Sequence, residues 1–249
     1  MCQPCVSNVT HISSPLAIEI SQARELSDAL EQIGLTETRP TLVIVGGASG
    51  LTQNYFTRLQ RLFEEKIVPL VEKLKAYVVD GGTDAGVMQL MGKARLKLGG
   101  TFPLIGVAAI GTVILPDREN TFADAAPLEL NHTHFVLVPG NNWGDESPWI
   151  ADVASTLAQG SPSVTILING GAITLRDACN SIRVNRPLIV VAGSGRTADR
   201  IVAALEAEDA DRQVNQVAQF EKLSIVELEN DFHSIGKAIA EKLSSPSSQ

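Results

Sequence analysis

Four glycine-rich turns contain the residues best suited to chemistry in this sequence. They read Gly46-Gly47-Ala48-Ser49-Gly50, Gly81-Gly82-Thr83-Asp84-Ala85-Gly86, Asn169-Gly170-Gly171 and Gly193-Ser194-Gly195-Arg196. Glycine permits positive φ in a sharp turn, and its missing side chain lets a ligand approach the backbone. Where a helix begins next, its free N–H groups and its dipole favour phosphate as the occupant. The turns therefore predict a site for a phosphate-bearing molecule.

Individual side chains in these turns sharpen the prediction. The predicted ligand-binding residues are Gly46, Gly47, Ser49, Gly82, Thr83, Gly86, Asn169, Gly170, Gly171, Gly193, Ser194, Gly195 and Arg196. Thr83 is interpreted as a cap of the next helix that also offers its hydroxyl to a phosphate, with capping alone as the alternative. Arg196 stands at a predicted helix start, where the dipole disfavours a cation unless an anion lies between them. Asp199 either pairs with a neighbouring arginine or meets a ribose hydroxyl, and both interpretations stay open.

Several familiar catalytic patterns are missing from the sequence. No turn matches GxxxxGK[ST], and none gives GxGxxG with an acidic residue about 20 positions later. No serine lies in GxSxG. We expect no metal site, because the Cys2–Cys5 pair lacks a second ligand pair and His11 is the only close candidate ligand. Trp143 lies in the loop after the predicted strand 134–138, where its ring either stacks on a ligand or packs against the edge of the sheet.

Alternating short apolar strands and helices must position these turns. The predicted strands are 41–46, 76–80, 104–109, 134–138, 163–168, 187–192 and 223–227, and the predicted helices are 53–74, 84–98, 147–159, 172–182, 196–207 and 231–243. The strands are apolar almost throughout, which is typical of a parallel sheet covered on both faces. We predict a Rossmann-like, doubly wound α/β fold with about seven mainly parallel strands, whose carboxyl ends share one edge.

The domain organisation predicted from the sequence is simple. Residues 1–14 are interpreted as a flexible arm, 15–243 as one domain and 244–249 as a disordered tail. Segment 111–133 breaks the alternation, and it either covers a site or wraps the sheet edge.

Composition and net charge limit the classes of molecule that the protein is expected to bind. A formal charge of −8 argues against nucleic acid, because a phosphate backbone requires a positive surface. No apolar run reaches the roughly 20 residues of a membrane span, and the N-terminus lacks the pattern of a signal peptide. We therefore expect a cytoplasmic protein that binds a small molecule and forms a homo-oligomer. Any downstream output would then require a separate effector protein or assembly of the chain.

Four ordered motifs resemble a known family. The strings VVDGGTDAGVMQLMG (78–92), NHTHFVLVPG (131–140), VTILINGGAITL (164–175) and PLIVVAGSGRTAD (187–199) resemble the SLOG domain in its prokaryotic, TRPM-related (LSDAT-type) form. They also resemble, in the same order, the N-terminal cytosolic region of TRPM cation channels. The resemblance covers about residues 40–230 and implies a ligand such as ADP-ribose, an NAD-related molecule or a nucleoside monophosphate, with no further cofactor required. It includes no pore, so we expect no channel activity.

A second resemblance, more distant, is to the LOG-like and DprA-like Rossmannoid proteins. Residues 191–199 partly match the PGGxGTxxE pattern of the LOG-type phosphoribohydrolases, with Asp199 where their catalytic glutamate would stand. However, the proline is absent, Ala192 replaces the first glycine and Arg196 replaces the threonine. These departures argue against hydrolysis, because a misplacement of about 1 Å is expensive in catalysis.

Three functions therefore remain open from the sequence. The favoured one is a non-catalytic sensor of an ADP-ribose-like or related nucleotide, with phosphate held by the glycine turns and Arg196. The second is an N-glycosidic nucleotide hydrolase that uses Asp199. The third is a self-associating scaffold whose glycines only make turns.

Overall fold

A mainly parallel sheet forms the centre of the molecule. The computed structural model describes residues 9–11, 15–47, 53–115, 118, 122–228 and 232–244. The strands in these residues are β1 (Val9–His11), β2 (Leu16–Glu19), β3 (Thr41–Gly46), β4 (Tyr77–Asp80), β5 (Leu104–Ala109), β6 (Val113–Ile114), β7 (Ala126–Pro127), β8 (His134–Val138), β9 (Ser163–Ile168), β10 (Leu188–Ala192) and β11 (Leu223–Glu227). Nine strands form one sheet in the order β1-β2-β8-β5-β4-β3-β9-β10-β11, while β6 and β7 pair separately. Within the large sheet, only the β1–β2 pair is antiparallel among the described strands.

Helices cover both faces of this sheet. They are α1 (Leu26–Gln32), α2 (Gln53–Leu62), α3 (Val68–Leu74), α4 (Gly86–Leu98), α5 (Ser147–Ala158), α6 (Ala172–Arg183), α7 (Arg196–Ala203), α8 (Arg212–Ala218) and α9 (His233–Ser244). One core lies between the sheet and α1, α5, α6, α7 and α8, and the other lies between the sheet and α2, α3, α4 and α9. Along β3, Val43 and Val45 face the first core, whereas Leu42 and Ile44 face the second. Burial on both faces explains why the strand sequences show no polar alternation.

The strand order creates a topological switch point between β3 and β9. From β3 the chain steps outward through β4, β5 and β8, then returns to pair β9 with the other side of β3 and continues to β10 and β11. These two central strands are in parallel register from Thr41 opposite Ser163 to Gly46 opposite Ile168. The crevice at the carboxyl ends of such a strand pair is where open α/β sheets bind ligands.

The structure confirms the predicted α/β class and the mainly parallel sheet. All seven predicted strands are present, and β1 and β2 add two more, one of them from the predicted arm 1–14. Helices α1 and α8 and the short β6–β7 pair were not predicted. Residues 1–8, 12–14 and 245–249, with Cys2 and Cys5 among them, lie outside the described residues. Ser244, the first residue of the predicted tail, ends α9.

Helix boundaries differ where local chemistry intervenes. The predicted helix 53–74 is interrupted by a π-helical stretch, Phe63–Ile67, before α3. Pro69 follows at the start of α3 and lacks an N–H, so the widened turn accommodates its ring. Helix α4 begins at Gly86, with Ala85 as its N-cap and no side-chain capping bond. The interpretation of Thr83 as the cap is therefore wrong.

Candidate functional site

A cavity of about 680 Å³ opens at the carboxyl ends of the central strands. Its wall is built from the ends of β3 and β5, the turn after β4, the first turns of α5 and α6, and the start of α7. The polar and aromatic side chains in this wall are those of Thr83, Asp84, Thr112, Asp124, Trp143, Glu146, Thr174, Asp177 and Arg196. Its volume falls within the range of small-molecule sites, about 300–1,000 Å³.

The structure brings part of the predicted set to this cavity. Gly46, Gly47, Thr83, Gly171 and Arg196 contribute to its wall. Ser49 lies outside the described residues. The other predicted residues lie in the same turns but not in the wall, namely Gly82, Gly86, Asn169, Gly170, Gly193, Ser194 and Gly195.

Asn169 and Ser194 hold two of the turns together. The Asn169 N–H donates to Ser194 Oγ at 2.8 Å, and Asn169 Nδ2 donates to the Ser194 carbonyl at 2.7 Å. Ser194 Oγ in turn donates to the Val191 carbonyl at 2.6 Å. Both residues are buried. In this structure their side chains fix the turn after β9 against the turn after β10, and their role as ligand contacts stays a prediction.

Arg196 lies at the point where α6 and α7 begin. It is the first residue of α7, and its φ of +52° is in the left-handed region that disfavours residues other than glycine. Its guanidinium borders Gly171, because a Cβ built on that glycine would lie 2.8 Å from Arg196 Nη2. The N-terminal ends of two helices and one cation therefore converge on one part of the wall, which suits an anion.

A buried cluster of charged groups supports the turn after β4. Asp80 Oδ1 accepts from the Gly82 N–H at 2.8 Å and lies 2.8 Å from His132 Nε2. On the other side of the ring, Nδ1 lies 2.9 Å from Glu129 Oε2. Burial opposes the charge on His132, but the two carboxylates outweigh it and raise the pKa of His132 to about 9. A charged imidazole thus links the cavity-lining turn to the start of β8.

Two carboxyl groups in the wall were not predicted from the sequence. Glu146 precedes α5, and both of its carboxylate oxygens accept from the Gly144 N–H, at 3.1 and 2.9 Å. Burial raises the pKa of Glu146. Burial also raises the pKa of Asp177, on α6, to about 7, and the neighbouring Glu146 carboxylate adds to that shift. A signal was available, because Asp177 falls on the buried stripe of α6 with Thr174 and Ser181.

The long connection after β5 contributes to the wall. The residues of this connection that border the cavity are Asp124, Ala125, Ala126 and Pro127. Trp143 borders it as well, and its ring contacts Phe122 edge-on at 6.4 Å between centroids. Segment 111–133 was expected either to cover a site or to wrap the sheet edge, and the described part of it supports the first alternative.

Asp199 contacts the backbone of the turn that precedes it, and its role in hydrolysis stays a prediction. Its Oδ1 accepts from the Gly193 N–H at 2.7 Å, across the turn between β10 and α7. Asp199 is not among the residues of the cavity wall. This contact gives Asp199 a role in shaping the turn that presents Arg196.

The cavity wall contains side chains of both charges among the described residues. Its described basic side chain is Arg196, whereas its acidic side chains are Asp84, Asp124, Glu146 and Asp177. An extended polyanion would meet carboxylates over most of the cavity. The arrangement instead suits a ligand with a local anionic group at one end and hydrogen-bond donors elsewhere.

Sequence comparison with known proteins identifies a family and several relatives of this chain. A family model described as "SLOG in TRPM, prokaryote" matches residues 39–235. The chain is 26% identical over 228 residues to transient receptor potential cation channel subfamily M member 2 of Mus musculus, which covers 77% of this chain and 15% of the channel. It is 28% identical over 210 residues to the Rattus norvegicus protein of the same name, covering 68% and 14%. It is 26% identical over 198 residues to a member-like 2 protein of Nematostella vectensis, covering 64% and 13%.

The chain thus spans about one seventh of the length of these relatives. Among the described residues, no helix has the length and apolar character needed to cross a bilayer.

Proposed function

The chain belongs to the family described as SLOG in TRPM, prokaryote, and on that premise we propose that it binds a nucleotide-derived small molecule in the cavity at the switch point. The proposed ligand class is ADP-ribose, an NAD-related molecule or a nucleoside monophosphate, bound without chemical change. Its phosphate lies at Arg196 and Gly171, where α6 and α7 begin. The remainder of the ligand extends along the wall toward Glu146 and Asp177.

The observation that carries this proposal is the position of Arg196. A cation at the first residue of a helix opposes the helix dipole, and a left-handed φ at a residue other than glycine adds strain. An anion bound between the guanidinium and the two helix starts would interact favourably with both the cation and the helix dipoles. The fixed hydrogen bonds between the turn after β9 and the turn after β10 hold that arrangement in place before a ligand arrives.

The test is thermal unfolding against a panel of ADP-ribose, cyclic ADP-ribose, NAD and AMP, with chromatography of each ligand after incubation. A ligand at 100 times its Kd adds about 2.7 kcal/mol to the free energy of unfolding, which is a readily measured shift. We expect a shift with the ligand recovered intact. Release of the base would instead establish a hydrolase, and no shift with any ligand would contradict the proposed function.

A pair of variants localises the binding. Arg196→Ala removes a charge-assisted contact to phosphate, and we expect roughly a tenfold to hundredfold loss of affinity. Arg200→Ala is the matched control, since Arg200 lies on the same helix but pairs with Asp209 at 2.8 Å on the surface. Equal affinities of the two variants would contradict the assignment of the phosphate to Arg196.

A further inference from the structure

A buried ionic cluster adjoins one wall of the cavity without being part of it. His132 Nε2 lies 2.8 Å from Asp80 Oδ1, and His132 Nδ1 lies 2.9 Å from Glu129 Oε2. All three side chains are at most 2% exposed, and none of them is among the described residues of the wall. Replacing a whole buried ion pair by apolar residues is often neutral or stabilising. Such a cluster is therefore better evidence of a fixed conformation than of added stability.

The cluster fixes the turn after β4 through Gly82. The Gly82 N–H donates to Asp80 Oδ1 at 2.8 Å, and the same oxygen faces His132. Gly82 has a φ of +69°, and a Cβ built on it would lie 2.8 Å from the Gly106 Cα and 2.9 Å from the Phe135 ring. The His132 ring stacks on that same Phe135 ring, at 5.4 Å between centroids. The backbone of the turn is therefore held between the Asp80 carboxylate and the close packing of β5 and β8.

The cluster also fixes the end of the long connection against this turn. Residues 82–84 pair with residues 127–129 as a short antiparallel ribbon, which we call the wall ribbon. Backbone hydrogen bonds of 2.9 Å close both of its ends, including the one from the Glu129 N–H to the Gly82 carbonyl. The members of the wall ribbon that border the cavity are Thr83, Asp84 and Pro127. The ionic cluster thus lies at the base of a ribbon that the ligand would contact.

The proton on His132 allows the ring to hold both carboxylates at once. A charged imidazole donates from both ring nitrogens, whereas the neutral ring has one donor and one acceptor. Loss of the proton therefore leaves one ring nitrogen with a lone pair that faces a carboxylate. Burial lowers the pKa of His132, but Asp80 and Glu129 outweigh it and raise the pKa to about 9. The imidazole is thus charged at neutral pH and loses its proton above about pH 9.

The charges around the cluster come from four elements. Asp80 on β4 and Glu129 on the connection act on His132 directly. Arg95, on α4, donates to the Asn131 carbonyl at 3.4 Å, and its charge acts on Glu129. His134, on β8, has its pKa lowered by burial and, to a smaller extent, by Arg95. His134 is therefore neutral in the range where His132 titrates.

Resting on the proposed function, we propose that the His132 imidazolium is a positioning group that holds the wall ribbon in the conformation the ligand requires, so that affinity depends on a proton the ligand never touches. Loss of that proton breaks one link between the ring and a carboxylate, and the wall ribbon then loses its fixed place beside the ligand. The coupling is reciprocal. A ligand that binds better to the protonated protein also makes His132 hold its proton more tightly.

Calorimetric titration of wild-type protein with AMP and with ADP-ribose, at half-unit intervals from pH 7.5 to pH 10, tests the coupling. A phosphate monoester titrates near pH ~6, below this range. We expect affinity to fall roughly tenfold as pH rises through the range, which is within the roughly twofold to thirtyfold effect typical of residues that couple to a site without touching its ligand. His132→Gln is neutral at every pH, and we expect it to bind more weakly at pH 7.5 and to show no such fall.

The reciprocal effect distinguishes positioning from a merely structural role. The sequence contains four histidines, so the imidazole resonances of histidine-labelled wild-type protein can be followed individually by NMR. We expect saturating ligand to raise the pKa of His132, with the proton bound more tightly by the same factor by which affinity falls, and to leave the titration of His134 unchanged. A histidine that only supports the fold would titrate identically with and without ligand.

A control variant accounts for lost stability. Ile239→Ala truncates a fully buried side chain of α9 in the second core, and Ile239 is not among the described residues of the wall. We expect this variant to have a lower melting temperature, because it leaves a cavity in the core. At a temperature where it is folded, it should keep wild-type affinity and the wild-type pH profile. If His132→Gln does not fold, the pH profile and the histidine titration of wild-type protein decide the question alone.

The failures of the two proposals are distinguishable. If wild-type protein binds the probes with equal affinity from pH 7.5 to pH 10, or if His132 titrates identically with and without ligand, the positioning role is overturned and the proposed function stands. Equal losses of affinity in His132→Gln and Ile239→Ala would also overturn it, because the cluster would then act only through stability. If wild-type protein binds neither AMP nor ADP-ribose, both proposals are overturned.

Discussion

Replacing Asp177 with asparagine should change how the stability of the ligand-free protein depends on pH. The carboxyl group is buried, and its pKa is raised from 3.8 to about 7. Burial is the main cause, and the Glu146 carboxylate adds to it, while Ser147 and Arg176 oppose it. In the unfolded chain the same group titrates near its ordinary value. The folded state therefore binds a proton more tightly than the unfolded state does.

The direction in which stability changes with pH follows from this difference in proton affinity between the folded and unfolded states. Between pH 4 and pH 7 the folded protein carries the proton and the unfolded chain does not, so wild-type stability falls as pH rises through that range and is flat above it. A separation of about three pKa units corresponds to about 4 kcal/mol in total. About two of those units lie between pH 5 and pH 8, which gives a change of about 3 kcal/mol across that window. Asp177→Asn has no such proton to bind.

The assay is urea unfolding of wild type and variant at half-unit intervals from pH 5 to pH 8. Relative to wild type, we expect Asp177→Asn to gain about 3 kcal/mol as the pH rises across the window. Subtracting the two profiles cancels the titrating groups that do not interact with Asp177, including His132. Asp28→Asn serves as the surface control, with a profile parallel to that of wild type. Parallel profiles for wild type and Asp177→Asn would refute the reasoning, because they would mean that Asp177 is ionised at no cost in the folded state.

Three other changes give sharp outcomes. His132→Gln removes the cation from between two buried carboxylates and is expected to cost about 3–5 kcal/mol in urea unfolding. Burial lowers the pKa of His132, but the flanking carboxylates outweigh it and raise the pKa from 6.5 to about 9. Wild-type stability should therefore also fall as pH rises from 6.5 through 9, a slope that the variant lacks. Gly92→Ala places a Cβ on the Glu129 carboxylate; we expect a lower melting temperature, and an unchanged one would show that the carboxylate moves aside freely. Gly171→Ala has an ordinary backbone conformation but crowds the Arg196 guanidinium; we expect near-normal stability with weakened nucleotide binding, and undiminished affinity by titration would count against contact at that point.

Local pattern was enough to predict the elements that carry the site. The runs 104–109, 134–138, 163–168 and 223–227 form strands with the predicted bounds, because each is a short, mostly aliphatic and β-branched stretch. The short strands β1 and β2 were missed because three or four residues give too little pattern. Helix α8 was missed for the same reason, since it has only seven residues.

The site itself was predictable only in part, because side-chain partners depend on which strands become neighbours. The turns that carry Gly47, Gly171 and Arg196 follow from local sequence, and the structure brings all three to one cavity. By contrast, the contact of His132 with Asp80 joins residues 52 positions apart and exists because β5 lies between β4 and β8. No local pattern encodes such a pairing.

The residues predicted as ligand contacts divide into two groups with different physical roles. Asn169 and Ser194 hydrogen-bond to each other and to the backbone of their own turns, and the N–H groups of Thr197 and Ala198 donate to the turn after β9 at 3.2 Å each. These bonds hold Arg196 in a backbone conformation that it would not choose alone, at a cost on the order of 1–3 kcal/mol. The same bonds fix the turn after β9 against the start of α7, which places the Arg196 guanidinium beside Gly171.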